Sequence, residues 1–302
     1  MNKKGWWLIS CDVLTNFEEI LIWNLSEFGI TSYSFNYLNK NNNLGELFIW
    51  LPKSNWDKVR IKNLEETFLR LFRSNNHDFS YFRYESVNDN DWLNNWKKYW
   101  NPHPVGKNFY ILPSWIKLPE EFKDKIIIKI DPGLAFGSGD HPSTALCLEI
   151  MENESMFSKT VLDIGCGSGI LSIAARKLGA DKISSIDKDS LSIKSTNENI
   201  NINFANQNGF QIYLGTFCET INNFSLNSFD YIFCNVIAGV IKEIIPDIPK
   251  VINQNGKIIL SGIISSQKED IIKLLNLYNF KIDQVVSKKD WICIQACTIK
   301  ST

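Results

Sequence analysis

Three glycines within five residues, Gly165, Gly167 and Gly169, follow a short apolar run that carries one acid, Val161-Leu162-Asp163-Ile164. Glycine lacks a Cβ, so such a turn adopts backbone conformations closed to other residues and lets a ligand approach the main chain. The stretch Thr160–Ile164 has the apolar, β-branched character of a central parallel strand. The run Ile170–Ala175 reads as a helix packed back onto that strand, with Gly179 just past its end. A ligand is expected above the strand's carboxyl end, close to the helix N-terminus. A second acid, Asp187, ends the next apolar run, Lys182–Asp187. It stands about 20 residues beyond the turn, the distance at which a carboxylate meets ribose hydroxyls.

The glycine spacing separates two kinds of nucleotide ligand. A dinucleotide turn reads G-x-G-x-x-G, whereas this one reads G-x-G-x-G, with Ile170 where the dinucleotide glycine would stand. Together with Asp163 and Asp187, the pattern resembles the Rossmann-like S-adenosylmethionine methyltransferases more than a nicotinamide oxidoreductase. Upstream, the stretch 131–144 holds three glycines and two prolines and opens a helix over Ala145–Met151. It looks like a cofactor lid, with Pro142 suited to a first helical turn and the hydroxyls of Ser143 and Thr144 at the helix start. His141 reads as a structural hydrogen-bonding residue rather than a base. Downstream, Asn235 closes the strand-like run Ser228–Gly239, at the end where chemistry is expected in an open parallel sheet.

The elements that must hold these residues are plain in outline. From Thr160 onward, strand and helix patterns alternate: a strand over Phe210–Gly215, a helix over 238–252 interrupted by Pro246 and Pro249, a strand over Gly256–Ile264, a helix over Ser265–Tyr278, and a closing pair over Phe280–Ser287 and Trp291–Thr298. That alternation is the mark of a doubly wound α/β sheet. The first part reads as strand Trp6–Val13, helix Phe17–Phe28, strand Ile30–Leu38, strand Leu44–Leu51, a helix capped by Ser54 and running to about Phe72, and strand Phe79–Val87. The order β-α-β-β-α-β predicts a small ferredoxin-like domain. Between the two parts, Trp92, Trp96 and Trp100 share one helical face, as in a linker helix that packs aromatics. The expected division is therefore a domain over 1–88, a linker helix over 89–106 and a second domain over 107–302. Pro102, Pro104 and Gly106 permit a hinge near Trp100–Lys107. The asparagine runs at 41–43 and around 197–208 read as loop or surface composition.

Bulk properties exclude several classes. Among 302 residues, 32 Lys and Arg nearly balance 33 Asp and Glu, so no global field favours nucleic acid or a membrane surface. No apolar run approaches the ~20 residues of a membrane span, and no signal peptide is evident at the N-terminus. Seven cysteines without a C-x-x-C pair, and three scattered histidines, offer no metal constellation. A reducing cytoplasm is the expected setting.

A closer resemblance rests on Asp131-Pro132-Gly133-x-Ala135-Phe136-Gly137, His141-Pro142-x-Thr144, Val161-Leu162-Asp163-x-Gly165-Cys166-Gly167-Ser168-Gly169, Asn235-x-Ile237-Ala238 and Leu260-Ser261-Gly262-Ile263, with the tryptophan linker and Leu112-Pro113-Ser114-Trp115. These are similar to the motifs of the bacterial ribosomal protein L-eleven methyltransferase (PrmA) family, from about Asp91 to the end of the chain. The resemblance implies a seven-stranded methyltransferase sheet, S-adenosyl-L-methionine as cofactor, and cofactor contacts at Thr144, Gly165, Asp187 and Asn235, to which the glycine turn adds Gly167 as a place where the backbone approaches the cofactor. It implies a protein substrate, ribosomal protein L-eleven, held by the N-terminal domain and methylated on lysine ε-amines and its N-terminal α-amine. A cytoplasmic monomer with no nucleic-acid or membrane partner is the matching expectation. The chain departs from the family at Ser138, Asp140 and Ser143, where threonines are usual, and Asp140 adds a negative charge.

Methyl transfer to an amine is an in-line displacement, so positioning dominates. A lysine of ordinary pKa ~10.4 needs roughly 4–5 kcal/mol to lose its proton at pH 7. An apolar pocket and a neighbouring cation lower that requirement, so no dedicated base is needed and none is assigned. Asn235-Val236-Ile237-Ala238 lacks the prolines and aromatic of the N-P-P-Y type motif. A planar base or glutamine amide would therefore lose its stacking partner, which ranks another protein or RNA acceptor second and a non-catalytic adaptor behind it.

Overall fold

A computed structural model describes residues 5–14, 17–30, 33–36, 44–74, 81–87, 101–131, 137, 139 and 141–299. The chain divides into two compact units, Met1–Asn101 and Pro102–Thr302. The expected tryptophan helix, the asparagine run 41–43, Ser138 and Asp140 lie outside the described residues.

In the first unit, β1 (Trp6–Leu14), α1 (Glu18–Glu27), β2 (Tyr33–Asn36), β3 (Leu44–Pro52), α2 (Lys58–Ser74) and β4 (Phe82–Val87) follow one another. The strands form an antiparallel sheet in the order β2-β3-β1-β4, the ferredoxin-like arrangement predicted from the element order. Period-two burial fixes the register: Ile9, Cys11 and Val13 of β1 are buried, and Ile9 pairs with Ile49 and Cys11 with Leu47. The apolar stripe Ile61, Leu64, Phe68 and Phe72 of α2 shares that core. The helix begins later than Ser54 suggests. Asp57 is its cap, with Oδ1 accepting from Arg60 N at 2.9 Å, while the Ser54 hydroxyl donates to Asn55. Both residue types cap well, but the negative Asp57 also complements the helix N-terminus.

The second unit opens with β5 (His103–Val105), β6 (Phe109–Pro113) and β7 (Ile126–Ile130), where β5 pairs antiparallel and β7 parallel with β6. The C-terminal part of the 89–106 stretch is thus a strand of this sheet. Gly106 lies in the hairpin turn, where Lys107 N and Asn108 N donate to the Glu152 carboxylate. Then come α3 (Pro142–Met151), β8 (Thr160–Ile164), α4 (Ile170–Lys177), β9 (Lys182–Asp187), α5 (Ser190–Asn203), β10 (Phe210–Leu214), α6 (Phe217–Thr220), β11 (Phe229–Asn235), α7 (Ala238–Ile244), α8 (Ile248–Val251), β12 (Ile252–Ile264), α9 (Lys268–Leu277), β13 (Phe280–Lys288) and β14 (Trp291–Thr298).

Seven strands form one sheet in the order β10-β9-β8-β11-β12-β14-β13. All neighbouring pairs from β10 to β12 are parallel, and β14 runs antiparallel to both β12 and β13. The chain winds outward from β8 to β10 and then returns to β11 on the other side of β8. That reversal opens a crevice at the carboxyl ends of β8 and β11, the place where open α/β sheets bind ligands. One face of the sheet is closed by Ile241, Ile244, Ile271 and Leu275 packing with Leu162, Ile232, Ile258 and Ile294.

Candidate active site

The first turn is built without side-chain bulk because a neighbour occupies the space. At Gly165, φ is +74°, and a Cβ would lie 2.4 Å from Val236 Cγ1. The carboxyl ends of β8 and β11 therefore touch at this point, and any larger residue would drive them apart. Gly262 serves the same junction from β12. It has φ +78° at the register shift between Leu260 and Ile263, and a Cβ there would meet Val236 O at 2.3 Å. Gly165 N and Cys166 N both donate to Ile186 O, at 2.8 and 3.0 Å, which ties the turn to β9.

Asp187 ends β9 beside this turn. Its Oδ2 accepts from Gly167 N and its Oδ1 from Asp189 N, each at 2.9 Å. The carboxylate is thereby fixed between the glycine turn and the start of α5. Each oxygen still has a lone pair for a further donor, as ribose recognition requires.

Across the crevice, α3 brings Thr144 to Asn235. Thr144 is fully buried, and its Oγ1 accepts from Asn235 Nδ2 at 3.1 Å. The Asn235 Oδ1 is buried with no hydrogen-bond partner among the described residues. A buried carbonyl oxygen without a donor is costly, and this one is an acceptor open to a further N–H or O–H group. Pro142 is the first residue of α3 and His141 its cap. His141 Nδ1 lies 2.7 Å from Ser143 Oγ and accepts from Ser143 N at 3.3 Å, and the ring meets Trp291 edge-on at 4.7 Å. The histidine is a helix cap, in keeping with its reading as a structural residue.

Asp163 holds the second orphaned oxygen. It is almost completely buried, and its Oδ2 accepts from Ser172 N at 3.1 Å and Ser172 Oγ at 2.6 Å. Ser172 Oγ also lies 2.7 Å from Ser185 Oγ. Asp163 Oδ1 has no partner among the described residues. Burial pushes its pKa up to about 6, the Ser172 hydrogen bonds oppose the rise, and the Asp187 charge adds to it. A cation brought to this oxygen would restore the charged form.

The donor set fits S-adenosyl-L-methionine. Asp163 and Asp187 place negative charge near the turn for a cationic ligand that also carries ribose hydroxyls. The missing Cβ at Gly165 keeps the turn narrow, and the free Asn235 oxygen adds an acceptor at the switch point. Among the described residues no cluster of His, Cys, Asp and Glu could hold a metal ion.

One residue outside the motif reading joins the site region. The polar stretch around 197–208 is not simply surface. Asn199 is fully buried on α5, its Oδ1 accepting from Asp131 N at 2.7 Å and its Nδ2 donating to Ser168 O at 2.9 Å. Ser168 Oγ in turn donates to Gly137 O at 2.6 Å. Spacing says only that Asn199 and Asn203, four apart, share one helix face; it does not say which distant residues they meet.

A seven-stranded sheet of this order, with a glycine turn after β8, an acid ending β9 and an asparagine ending β11, defines an S-adenosylmethionine-dependent methyltransferase of the Rossmann-like class. The family model for ribosomal protein L11 methyltransferase (PrmA) matches residues 5–298. A curated ribosomal protein L11 methyltransferase of Prochlorococcus marinus (strain MIT 9312) is 50% identical over 301 residues, spanning 100% of this chain and 99% of the relative. Its counterpart from strain MIT 9515 is 49% identical over 297 residues, spanning 98% and 99%. A crystal structure of ribosomal protein L11 methylase from Lactobacillus delbrueckii subsp. bulgaricus is similar at 31% identity and a TM-score of 0.60, covering 65% of this chain and 98% of that one. The chain belongs to the ribosomal protein L11 methyltransferase (PrmA) family.

Proposed function

We propose that this protein transfers methyl groups from S-adenosyl-L-methionine to ribosomal protein L11, on lysine ε-amines and the N-terminal α-amine, as a cytoplasmic monomer. The observation that carries the reading is the match over the whole chain at about half identity, because it includes the ferredoxin-like unit as well as the methyltransferase sheet. In this reading the first unit, residues 1–88, holds the protein substrate, 89–106 links it, and 107–302 binds the cofactor.

When bound, the cofactor supplies an electrophilic methyl group on a positive sulfur. The chain's own residues do the rest by placement. Asp187 accepts from ribose hydroxyls with the lone pairs its two backbone donors leave open. Gly165 and Gly167 let the backbone lie close to the ligand, and Thr144 fixes the Asn235 amide through its Nδ2. Asn235 Oδ1 then orients the cofactor or accepts an N–H of the neutral acceptor amine, holding the nitrogen lone pair toward the methyl group. His141 is committed to capping α3, so the proton leaves the acceptor to water before attack. After Asn235 stand Val236 and Ile237, the latter 59% exposed. These aliphatic neighbours suit a lysine stem and offer no flat face to stack a base.

The test is mass spectrometry of unmethylated ribosomal protein L11 after incubation with the protein and S-adenosyl-L-methionine. Mass gains in steps of one methyl group, mapped to lysines and the N-terminus, are expected. Gains on other side chains would refute the amine assignment, and no gain with intact cofactor binding would move the substrate to another protein or an RNA.

A further inference from the structure

Strands β8, β11 and β12 lie side by side in that order. Cys234 of β11 pairs with Ile164 of β8, and Asn235 with Ser261 of β12. One residue further along, Val236 therefore stands level with Gly165 on one side and Gly262 on the other. Both glycines have a positive φ, and both leave the space of their missing Cβ to Val236. On the β8 side the contact is with the side chain: a Cβ at Gly165 would meet Val236 Cγ1 at 2.4 Å and Cβ at 3.9 Å. On the β12 side it is with the main chain: a Cβ at Gly262 would meet the O, C and N atoms of Val236 at 2.3, 2.7 and 3.0 Å.

The approach from β12 is made by a bulge. Between the pairs Leu260–Ile294 and Ile263–Ile292, β12 advances one residue more than β14. Such a bulge bends its strand, and the buried Ser261 hydroxyl, donating to Ile292 O at 3.0 Å, holds the slipped segment on β14. Glycine at a strand end weakens the strand and marks a close approach of another backbone. Here two such glycines bracket a single residue, and that residue directly follows Asn235. The Asn235 amide is held through Nδ2 by Thr144 Oγ1, and its Oδ1 is buried without a partner among the described residues. A shift of Val236 would carry this open acceptor away from the glycine turn.

We propose that Val236 is a positioning residue for the cofactor site: wedged between Gly165 and Gly262, it sets the spacing between the glycine turn and the Asn235 amide. The inference rests on the proposed methyltransferase reading and extends it to a side chain with no polar group to offer a ligand. Its size is matched to the missing Cβ at Gly165, so the two positions are coupled rather than additive.

The experiment is calorimetric titration of S-adenosyl-L-methionine into the full chain, as wild type, V236A, V236T, G165A and the double variant G165A/V236A, with thermal unfolding alongside. Val236→Ala trims both γ-methyls, whereas Val236→Thr keeps the branched shape and tests that shape is what matters. The expected result is a cofactor Kd raised about tenfold in V236A, as for a binding group misplaced by a fraction of an ångström, and nearly restored in V236T. G165A should bind much more weakly than wild type. Adding V236A should then tighten its binding about fivefold, because the clash with Cγ1 is gone; a change harmful alone becomes helpful. A V236A Kd indistinguishable from wild type would overturn the proposal and leave the methyltransferase reading intact. So would a double variant that binds no better than G165A. Wild type that binds the cofactor but leaves ribosomal protein L11 unmodified would refute the substrate reading, while the binding comparison still decides the role of Val236. Wild type that does not bind the cofactor would overturn both.

Discussion

Two polar clusters flank the same sheet, at opposite ends of α3, and they are built on opposite principles. Beyond the C-terminal end of α3, Glu154 is saturated. Lys257 Nζ lies 2.8 and 3.0 Å from its two oxygens, Gln295 Nε2 donates at 2.6 Å and Tyr231 OH at 2.8 Å. Burial alone would raise the Glu154 pKa, but these donors outweigh it and hold the carboxyl below its ordinary value. At the other end, Asp163 and Asn235 each keep a buried oxygen without a partner among the described residues, and burial raises Asp163 to about 6. The first cluster is finished by the fold. The second keeps two acceptors open, and in the proposed reading the bound cofactor completes them.

The sharpest way to break the comparison is pH. Asp163 has a folded pKa above its unfolded value, so its contribution is fully present below about pH 4 and is lost as pH rises through 6. The loss amounts to about 3 kcal/mol for a shift of this size. Denaturant unfolding of the wild type should therefore lose stability relative to D163N between pH 4 and 7, and parallel curves would remove the assignment. Glu154 has the opposite sign: its contribution is present at neutral pH and disappears as pH falls below its ordinary value.

Asn235→Ala comes next. It deletes an amide whose oxygen stabilises nothing in the fold, so kcat/KM should drop about 100-fold, near 2.7 kcal/mol, with a melting temperature within a few degrees of wild type. A large loss of stability with little loss of activity would reverse the contrast. Glu154→Ala should do the reverse, costing about 2 kcal/mol of stability by leaving Lys257, Gln295 and Tyr231 short of an acceptor, as chemical denaturation will measure.

The two clusters also differ in how far sequence reveals them. The glycine turn, Asp187 and Asn235 were legible because local spacing dictates them: strand, turn and helix must follow at once, and the sheet's winding puts the ends of β8 and β11 together. Strand Lys182–Asp187 matched its expected bounds. Glu154 and Asn199 were not legible, because their partners lie 77 to 141 and 31 to 68 residues away, and no periodicity records such pairs. The same limit misplaced the cap of α2, where Ser54 and Asp57 are equal candidates by type and only the fold chooses. The smallest effect follows: Asp57→Ala should cost about 1 kcal/mol by thermal unfolding, and Ser54→Ala less.

The most direct measurement is calorimetric titration of S-adenosyl-L-methionine into wild type, N235A and E154Q at pH 7.5. The expected result is one-to-one binding by wild type, binding within twofold of it by E154Q, and clearly weaker binding by N235A, placing the cofactor at the unsatisfied end of the sheet. Binding lost in E154Q but kept in N235A, or absent from wild type, would contradict that placement.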